Sequence, residues 1–401
     1  MKVTVNKYLN ARAEQASTNA ACFFYKSPGD TIEIDDVLIG TEIDGNSIWY
    51  HCKDDGCFYW SGGIEEQEFE IPGKATASNK DLIAIINTIK NDRSFYLSKR
   101  VIGYKGIGVG LKNDSGSLPL CLVIFVIEKI NLNQLDASNS VPTSISYKGF
   151  QIMTDVKPVK EPATHNFIQH QNHEELKPDI NFNPIAIGAS ISNNTPNKPS
   201  SGYGTRTMRV KKNSKDYLLS CFHVLLYNRI FSAGDFTYNG SIDEQAVFPS
   251  PIKNTAFPRN RFTHPVVEGE LNGFYDYGLV ELQSPFEIAN NFDGTAITEF
   301  VKRAEVDEYI DTQVTIIGAT SYKQTGKITS IKAEIEVECR GFQRKYFDVL
   351  VSEKISMGGD SGAPVITTDN KLLGYVIAGN ERDVSFILPF YYLFLNKGIT
   401  I

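Results

Sequence analysis

From residue 186 onward the chain is divided into short apolar runs by turn residues at near-regular intervals: AIGASI, GTRTMRV, YLLSCFHVL, YGLVEL, TQVTIIGAT, GKITSIKAEIEV, YFDVLVS, APVIT, LLGYVIAG and VSFILPF. Almost no helical period appears until the last line, and the runs are of strand length. A stretch this long with this pattern buries a core by pairing strands. The expectation is an all-β sandwich or a pair of barrels.

The residues before it are organised differently. Residues 1 to 66 alternate short strand-like runs with turns at SPGD, DGN and DDG, the pattern of a small β-barrel. Residues 67 to 160 read as a small α+β segment. In it KDLIAIINTIKN sets Leu82, Ile83, Ile85, Ile86 and Ile89 on one helical face, and VIGYKGIGVGLK and LPLCLVIFVIEK flank an NDSGS turn as a hairpin with one buried strand. Residues 161 to 185 are polar, aperiodic and rich in His, Asn and Pro, and read as a linker. The domain expectation is therefore 1–66, 67–160, a linker over 161–185, and 186–401.

A chain of 401 residues is long enough for two or three such domains. Its formal net charge of −7 argues against a general nucleic-acid or membrane-surface binder, because neutralising phosphates takes a concentrated basic face. The nearest basic cluster, Arg209, Lys211, Lys212 and Lys215, lies between two strand-like runs and reads as a solvated hairpin tip. No run approaches the 18 or so apolar residues of a membrane span, and the N-terminus lacks a signal-type apolar core. Six cysteines without a secreted-scaffold spacing fit free thiols in a reducing compartment, so a cytoplasmic location is expected. Cys52 and Cys57 beside His51, and the cluster of His165, His170 and His173, each resemble half a metal site without its complement. Packed cysteines and linker histidines are expected instead, with no metal and no cofactor.

The chemistry-bearing stretch is SMGGDSGAPV, residues 356 to 365. Gly-Asp-Ser-Gly is also what an ordinary turn looks like, so Ser361 alone decides nothing. Chain order narrows the choice. No histidine follows Ser361, the last being His264, and Ala363 breaks a G-x-S-x-G elbow, which excludes the α/β-hydrolase arrangement. Among the histidines, His223 follows a buried-strand run in DYLLSCFHVLL, where it would be rigidly held. Asp276 opens the apolar run of DYGLVEL, 53 residues after His223 and 85 before Ser361.

Together these segments resemble chymotrypsin/trypsin-like serine proteases of the bacterial intracellular kind. SCFHVL, DYGLVEL and GGDSGAPV are similar to the family's His, Asp and Ser segments. LLGYVIAGN resembles its substrate-binding strand and SFILPFYYLFLNKGI its last strand and terminal helix. The opening YLNARAEQAS, GDTIEIDDVLIGTEIDGNSIWYHCK and CFYWSGGIEE look like a bacterial SH3 domain, which implies a docking or autoregulatory barrel with a protein ligand. GIGVG and LCLVIFVIEK are similar to the N-terminal extension of some bacterial trypsin-like proteins. The implied fold class is mainly β: an SH3-like barrel, a small α+β segment, and a double β-barrel of chymotrypsin type.

The resemblance implies that Ser361 is a nucleophile acting on a protein or peptide, with His223 as its base and Asp276 orienting the imidazole. It puts the backbone N–H groups of Gly359 and Ser361 in an oxyanion hole. Gly358 adds local flexibility, from which the loop is expected to be unformed until a substrate or partner orders it. The resemblance sets Ile355, Gly379 and Asp383 at the substrate pocket, where Ile355 would favour an uncharged P1 side chain and Asp383 Arg or Lys. No mature N-terminus can be identified for insertion beside Asp360, which must find another partner. An esterase, or a silent protease-like scaffold, remains an alternative, and a stress or phage-defence role is an expectation from architecture alone.

Overall fold

The computed structural model describes residues 2–13, 15–43, 46–64, 79–112, 119–131, 134–135, 139–147, 150–164, 187–194, 202–240, 244–252, 262–282, 290–380 and 382–401. His165, His170 and His173, and the linker beyond residue 164, lie outside them. The chain divides into two compact units. One comprises residues 1–104 and 111–158, the other residues 105–110 and 159–401.

In the first unit six strands form one antiparallel sheet in the order Lys2–Thr4, Thr31–Ile43, Asn46–Cys52, Phe58–Trp60, Leu9–Arg12, Cys22–Lys26. The turn between Cys52 and Cys57 is closed by the Cys52 N–H donating to the Cys57 carbonyl at 2.9 Å. Both cysteines are buried with Val3, Val5, Leu9, Ile32, Ile34 and Tyr59, while His51 rests against the Phe58 ring. The helix spans Asn79–Arg100, well past the expected end, because Arg93 and Leu97 continue the buried stripe of Ile83, Ile86 and Ile89 at helical spacing. Leu120–Val126 pairs in parallel with Phe150–Pro158, a partner too distant in sequence for the run itself to announce.

Among its described residues the second unit contains two large, mainly antiparallel sheets and a small hairpin of Asn291–Phe292 with Thr295–Ala296. The first runs Gly204–Thr205, Ser190–Asn193, Gln245–Phe248, Phe262–Leu271, Asp276–Glu281, Lys215–Ser220, Arg209–Lys212. The four basic residues sit on the Arg209–Lys212 and Lys215–Ser220 hairpin, and three of them are paired: Arg209 with Asp216, Lys212 with Glu268, Lys215 with Glu281.

The second sheet runs Gln313–Gly318, Pro364–Thr367, Leu372–Gly379, Val384–Pro389, Phe342–Glu353, Tyr322–Cys339, and closes into a barrel because Gln313–Gly318 also pairs with Tyr322–Cys339. Closure removes the exposed edges that an open sheet would present. Residues 106–110 of the strand Tyr104–Leu111 pair with Tyr322–Cys339, so part of the expected α+β segment belongs to this unit. The chain ends in the helix Tyr391–Lys397, stopped by Gly398 in the left-handed region at φ 64°. The fold is mainly β, and the second unit is a double β-barrel of chymotrypsin type. No helix among the described residues is long and apolar enough to cross a membrane.

Barrel closure leaves little room between strands. A Cβ on Gly374 would lie 2.2 Å from the Leu388 carbonyl oxygen, which is backbone and cannot rotate away. Gly374→Ala is therefore expected to destabilise the chain by about 1–3 kcal/mol, read as a lowered midpoint in chemical denaturation with an unchanged slope. An unchanged midpoint would show that the two strands separate freely.

Candidate active site

His223, Asp276 and Ser361 come from three separate pieces of the second unit. Lys215–Ser220 is a buried strand that ends at Cys221, and the chain then makes a single helical turn, Phe222–Leu225, that carries His223. Asp276 is the first residue of Asp276–Glu281, the strand hydrogen-bonded beside Lys215–Ser220. Ser361 lies in the loop that joins Phe342–Glu353 to Pro364–Thr367 in the closed barrel.

The structure brings the three side chains together, with none of them exposed. His223 Nδ1 lies 2.5 Å from Asp276 Oδ2, and His223 Nε2 lies 2.7 Å from Ser361 Oγ. Asp276 Oδ1 also accepts the backbone N–H of His223 at 3.1 Å, so the carboxyl group fixes both the ring and the turn that bears it. With Asp276 accepting at Nδ1, Nε2 is the nitrogen left to take the serine proton. Ser361 Oγ has a second neighbour in the carbonyl oxygen of Ile377, at 3.2 Å.

The loop around Ser361 needs its glycines. Gly359 has φ 97°, and a Cβ there would meet Thr320 Oγ1 at 2.3 Å; Gly362 has φ 93°, and a Cβ would meet the Thr205 carbonyl at 2.1 Å. Both close neighbours also hold the loop. Thr205 Oγ1 donates to the Gly359 carbonyl at 2.9 Å, Thr320 Oγ1 to the Gly358 carbonyl at 2.7 Å, and Thr207 Oγ1 to the Gly362 carbonyl at 2.7 Å. The loop is thus tied by Thr205 of the first sheet and by Thr207 and Thr320, which lie outside the strands. Among the described residues, the N–H groups of Gly359 and Ser361 meet no acceptor, which keeps them available to an oxyanion.

Asp360 finds its partners inside the chain. Its carboxyl accepts the N–H groups of Thr320 at 2.8 Å, Ser321 at 3.1 Å and Met357 at 2.8 Å, and the Ser321 hydroxyl. Full burial pushes its pKa above the ordinary carboxylate value, and these four donors pull the other way.

Of the expected pocket residues, Ile355 and Gly379 converge on Ser385. The N–H groups of Ile355 and Ser356 donate to Ser385 Oγ at 3.1 and 3.0 Å, and Gly379 is its cross-strand neighbour. The Ile355 side chain is turned toward Gly326. Asp383 stays in an exposed turn, its N–H held by Asn380 Oδ1 at 2.6 Å.

Two groups escaped the sequence reading. Tyr346, on Phe342–Glu353, donates its hydroxyl to Asp276 Oδ2 at 3.2 Å; burial raises its pKa far above the ordinary phenol value, so it remains a donor. Ser356 and Ser385 hydroxyls lie 2.7 Å apart beneath the loop. Nothing local distinguishes a tyrosine or serine on an apolar strand from a packed one; only the fold supplies the partner.

One cluster near the triad has donors of metal-binding type. Cys221, His223 and Asp276 place one donor atom each within 4.8 Å of one another. The fit is poor, because a metal would have to break the His223–Asp276 bond, and burial raises the Cys221 pKa and disfavours the thiolate that binds metals.

No protein-family model matches the sequence, and no curated protein matches it. Among solved structures the chain is similar to Thermobifida fusca protease A, at 17% identity and TM-score 0.36, over 54% of this chain and 97% of that one. It is also similar to a Cellulomonas bogoriensis chymotrypsin, at 14% identity and TM-score 0.37, over 54% and 97%. The protease domain of MamO from Magnetospirillum magneticum is similar at 10% identity and TM-score 0.32, over 53% and 97%. At these values the likenesses carry no inference about chemistry, which is read from the side chains alone.

Tyr346→Phe removes one donor from a fully buried carboxyl. It is expected to cost about 1 kcal/mol of stability and to move the low-field NMR resonance of the His223 Nδ1 proton. An unmoved resonance would mean that the hydroxyl does not reach Asp276 in solution.

Proposed function

We propose that this chain is a serine endopeptidase. The observation that carries the reading is the unbroken line Ser361 Oγ, His223 Nε2, His223 Nδ1, Asp276 Oδ2, with separations of 2.7 and 2.5 Å across the ring. A serine hydroxyl is a weak nucleophile at neutral pH and gains strength when a base takes its proton as it attacks. His223 is placed to take that proton and to return it to the leaving amine. Asp276 keeps the imidazole in the one orientation that serves both steps.

Attack on a peptide carbonyl moves negative charge onto its oxygen. The free N–H groups of Gly359 and Ser361 are the donors available for that charge, and losing one such donor typically costs about 3 kcal/mol of transition-state stabilisation. The acyl-enzyme then yields to water by the same proton path in reverse. The chain supplies every group this cycle requires, so no cofactor enters the proposal.

Purified wild-type protein is expected to take a single fluorophosphonate adduct by intact mass, with none on Ser361→Ala or His223→Ala. An adduct on Ser361→Ala would place the nucleophile elsewhere. Asp276→Asn should cut turnover by roughly 10⁴-fold with the adduct still forming slowly.

Ile355 and Asp383 make opposing claims on P1. Cleavage-site profiling is expected to show an uncharged preference that Ile355→Asp turns toward Lys or Arg. The alternative is a basic preference in wild type that Asp383→Ala abolishes. An unchanged preference in both variants would remove both residues from the pocket.

A further inference from the structure

The strand Leu372–Gly379 has two different edges. Along one, Val384–Pro389 pairs with it from Gly374 to Gly379. Along the other, Pro364–Thr367 pairs with it only as far as Tyr375. Beyond that point the nucleophile loop takes over. The Gly362 N–H donates to the Val376 carbonyl at 2.7 Å, the Val376 N–H to the Ala363 carbonyl at 2.9 Å, and Ser361 Oγ reaches the Ile377 carbonyl. Ala378 and Gly379 are thus a stretch of sheet edge immediately next to the nucleophile, unclaimed by the barrel. An extended peptide is recognised on such an edge by adding itself as a strand.

In this chain the edge is already taken. Ala163–Thr164 pairs antiparallel with it, Ala163 opposite Gly379 and Thr164 opposite Ala378. On its other side the segment is held by Tyr322–Cys339, with Ala163 paired in parallel to Glu338 and the Glu338 N–H donating to the Pro162 carbonyl at 2.8 Å. Thr164 also shares a side-chain hydrogen bond with Cys339. From Ala163 to Thr164 the chain runs from the Gly379 level toward Ile377, the residue whose carbonyl touches Ser361. Ser361 and His223 meanwhile expose no surface at all.

We propose that Pro162–Ala163–Thr164 is an autoinhibitory strand: it occupies the peptide-binding edge Ala378–Gly379 in place of a substrate, and extended peptides are cleaved only when it is displaced. The consequence for proteolysis rests on Ser361 being the peptidase nucleophile; the occupation of the edge does not. Two paired residues form a weak clamp by themselves. Their hold comes from attachment, because a tethered segment competes at an effective concentration on the order of millimolar. A substrate that spans more of the edge and fills side-chain pockets can still win.

The experiment separates the two layers. A fluorescent peptide of residues 157–164, KPVKEPAT, is titrated by anisotropy into the Ser361→Ala protein and into the same protein carrying Pro162→Gly, Ala163→Gly and Thr164→Gly. Ala163→Pro in the same background serves as a second way to loosen the strand, since proline cannot donate to a ladder. Thermal unfolding confirms that each variant is folded. At least tenfold tighter binding to a loosened protein is expected. Equal affinity for all three, or binding to none, overturns the proposal whatever the state of the chemistry.

With Ser361 restored, a loosened protein should cleave an extended-peptide library at least tenfold faster. Fluorophosphonate labelling, which needs the nucleophile but not the edge, should change by less than about twofold, given that small probes draw little on extended binding. Equal peptide cleavage by loosened and wild-type proteins that both label would also overturn the proposal. Absence of labelling in every Ser361 protein would remove the hydrolase reading and leave the anisotropy comparison to decide the strand.

Discussion

A carboxyl group with no access to water must find all its hydrogen bonds within the protein, and Asp276 is such a group. Its donors arrive from two barrels. The first barrel supplies the backbone and ring of His223, and the second supplies the hydroxyl of Tyr346. Neither barrel could shift against the other without leaving that carboxyl short of a partner, a loss far more costly than a surface contact. The threonines add to the same constraint, since Thr205 of the first sheet and Thr207 just after it hold carbonyls of a loop that belongs to the second. The register between the barrels and the alignment of the triad are one and the same set of bonds.

Most of the second unit was legible in the sequence because a strand that is buried on both faces, such as Leu372–Gly379, writes itself as an uninterrupted apolar run. His223, Asp276 and Ser361 stood out for a different reason: each sits near the end or start of such a run, where the turn constrains the local residues, and the structure brings the three side chains together. Tyr346, Ser385 and Thr205 were not legible. Each is a hydroxyl whose task depends on a residue between 29 and 154 positions away, and no local pattern encodes that distance. The helix Asn79–Arg100 was read short because the buried residues of its second half are Lys90, Arg93 and Leu97, of which only Leu97 is apolar. Asp383 is close to the strand Leu372–Gly379 in the chain, and its place is set by a local bond, the N–H held by Asn380 Oδ1 in an exposed turn.

The segment Ala163–Thr164 belongs with the illegible features. Its two residues carry no motif, sit at the head of a stretch read as linker, and acquire meaning only from the strand edge beside them. Sheet edges are places where any extended chain can bind, so an edge beside Ser361 is either left open to other chains or covered. Covering it with a piece of the same chain makes access a matter of competition.

Asp360 is a second buried carboxyl, and it too is satisfied within the chain. Its four partners are Thr320, Ser321 twice over, and Met357, all groups the folded chain already contains. The loop that carries the Gly359 and Ser361 N–H groups is therefore held by bonds the folded chain itself makes. A loop held by groups the folded chain already contains keeps its shape for as long as the fold does, with nothing further to gain or lose.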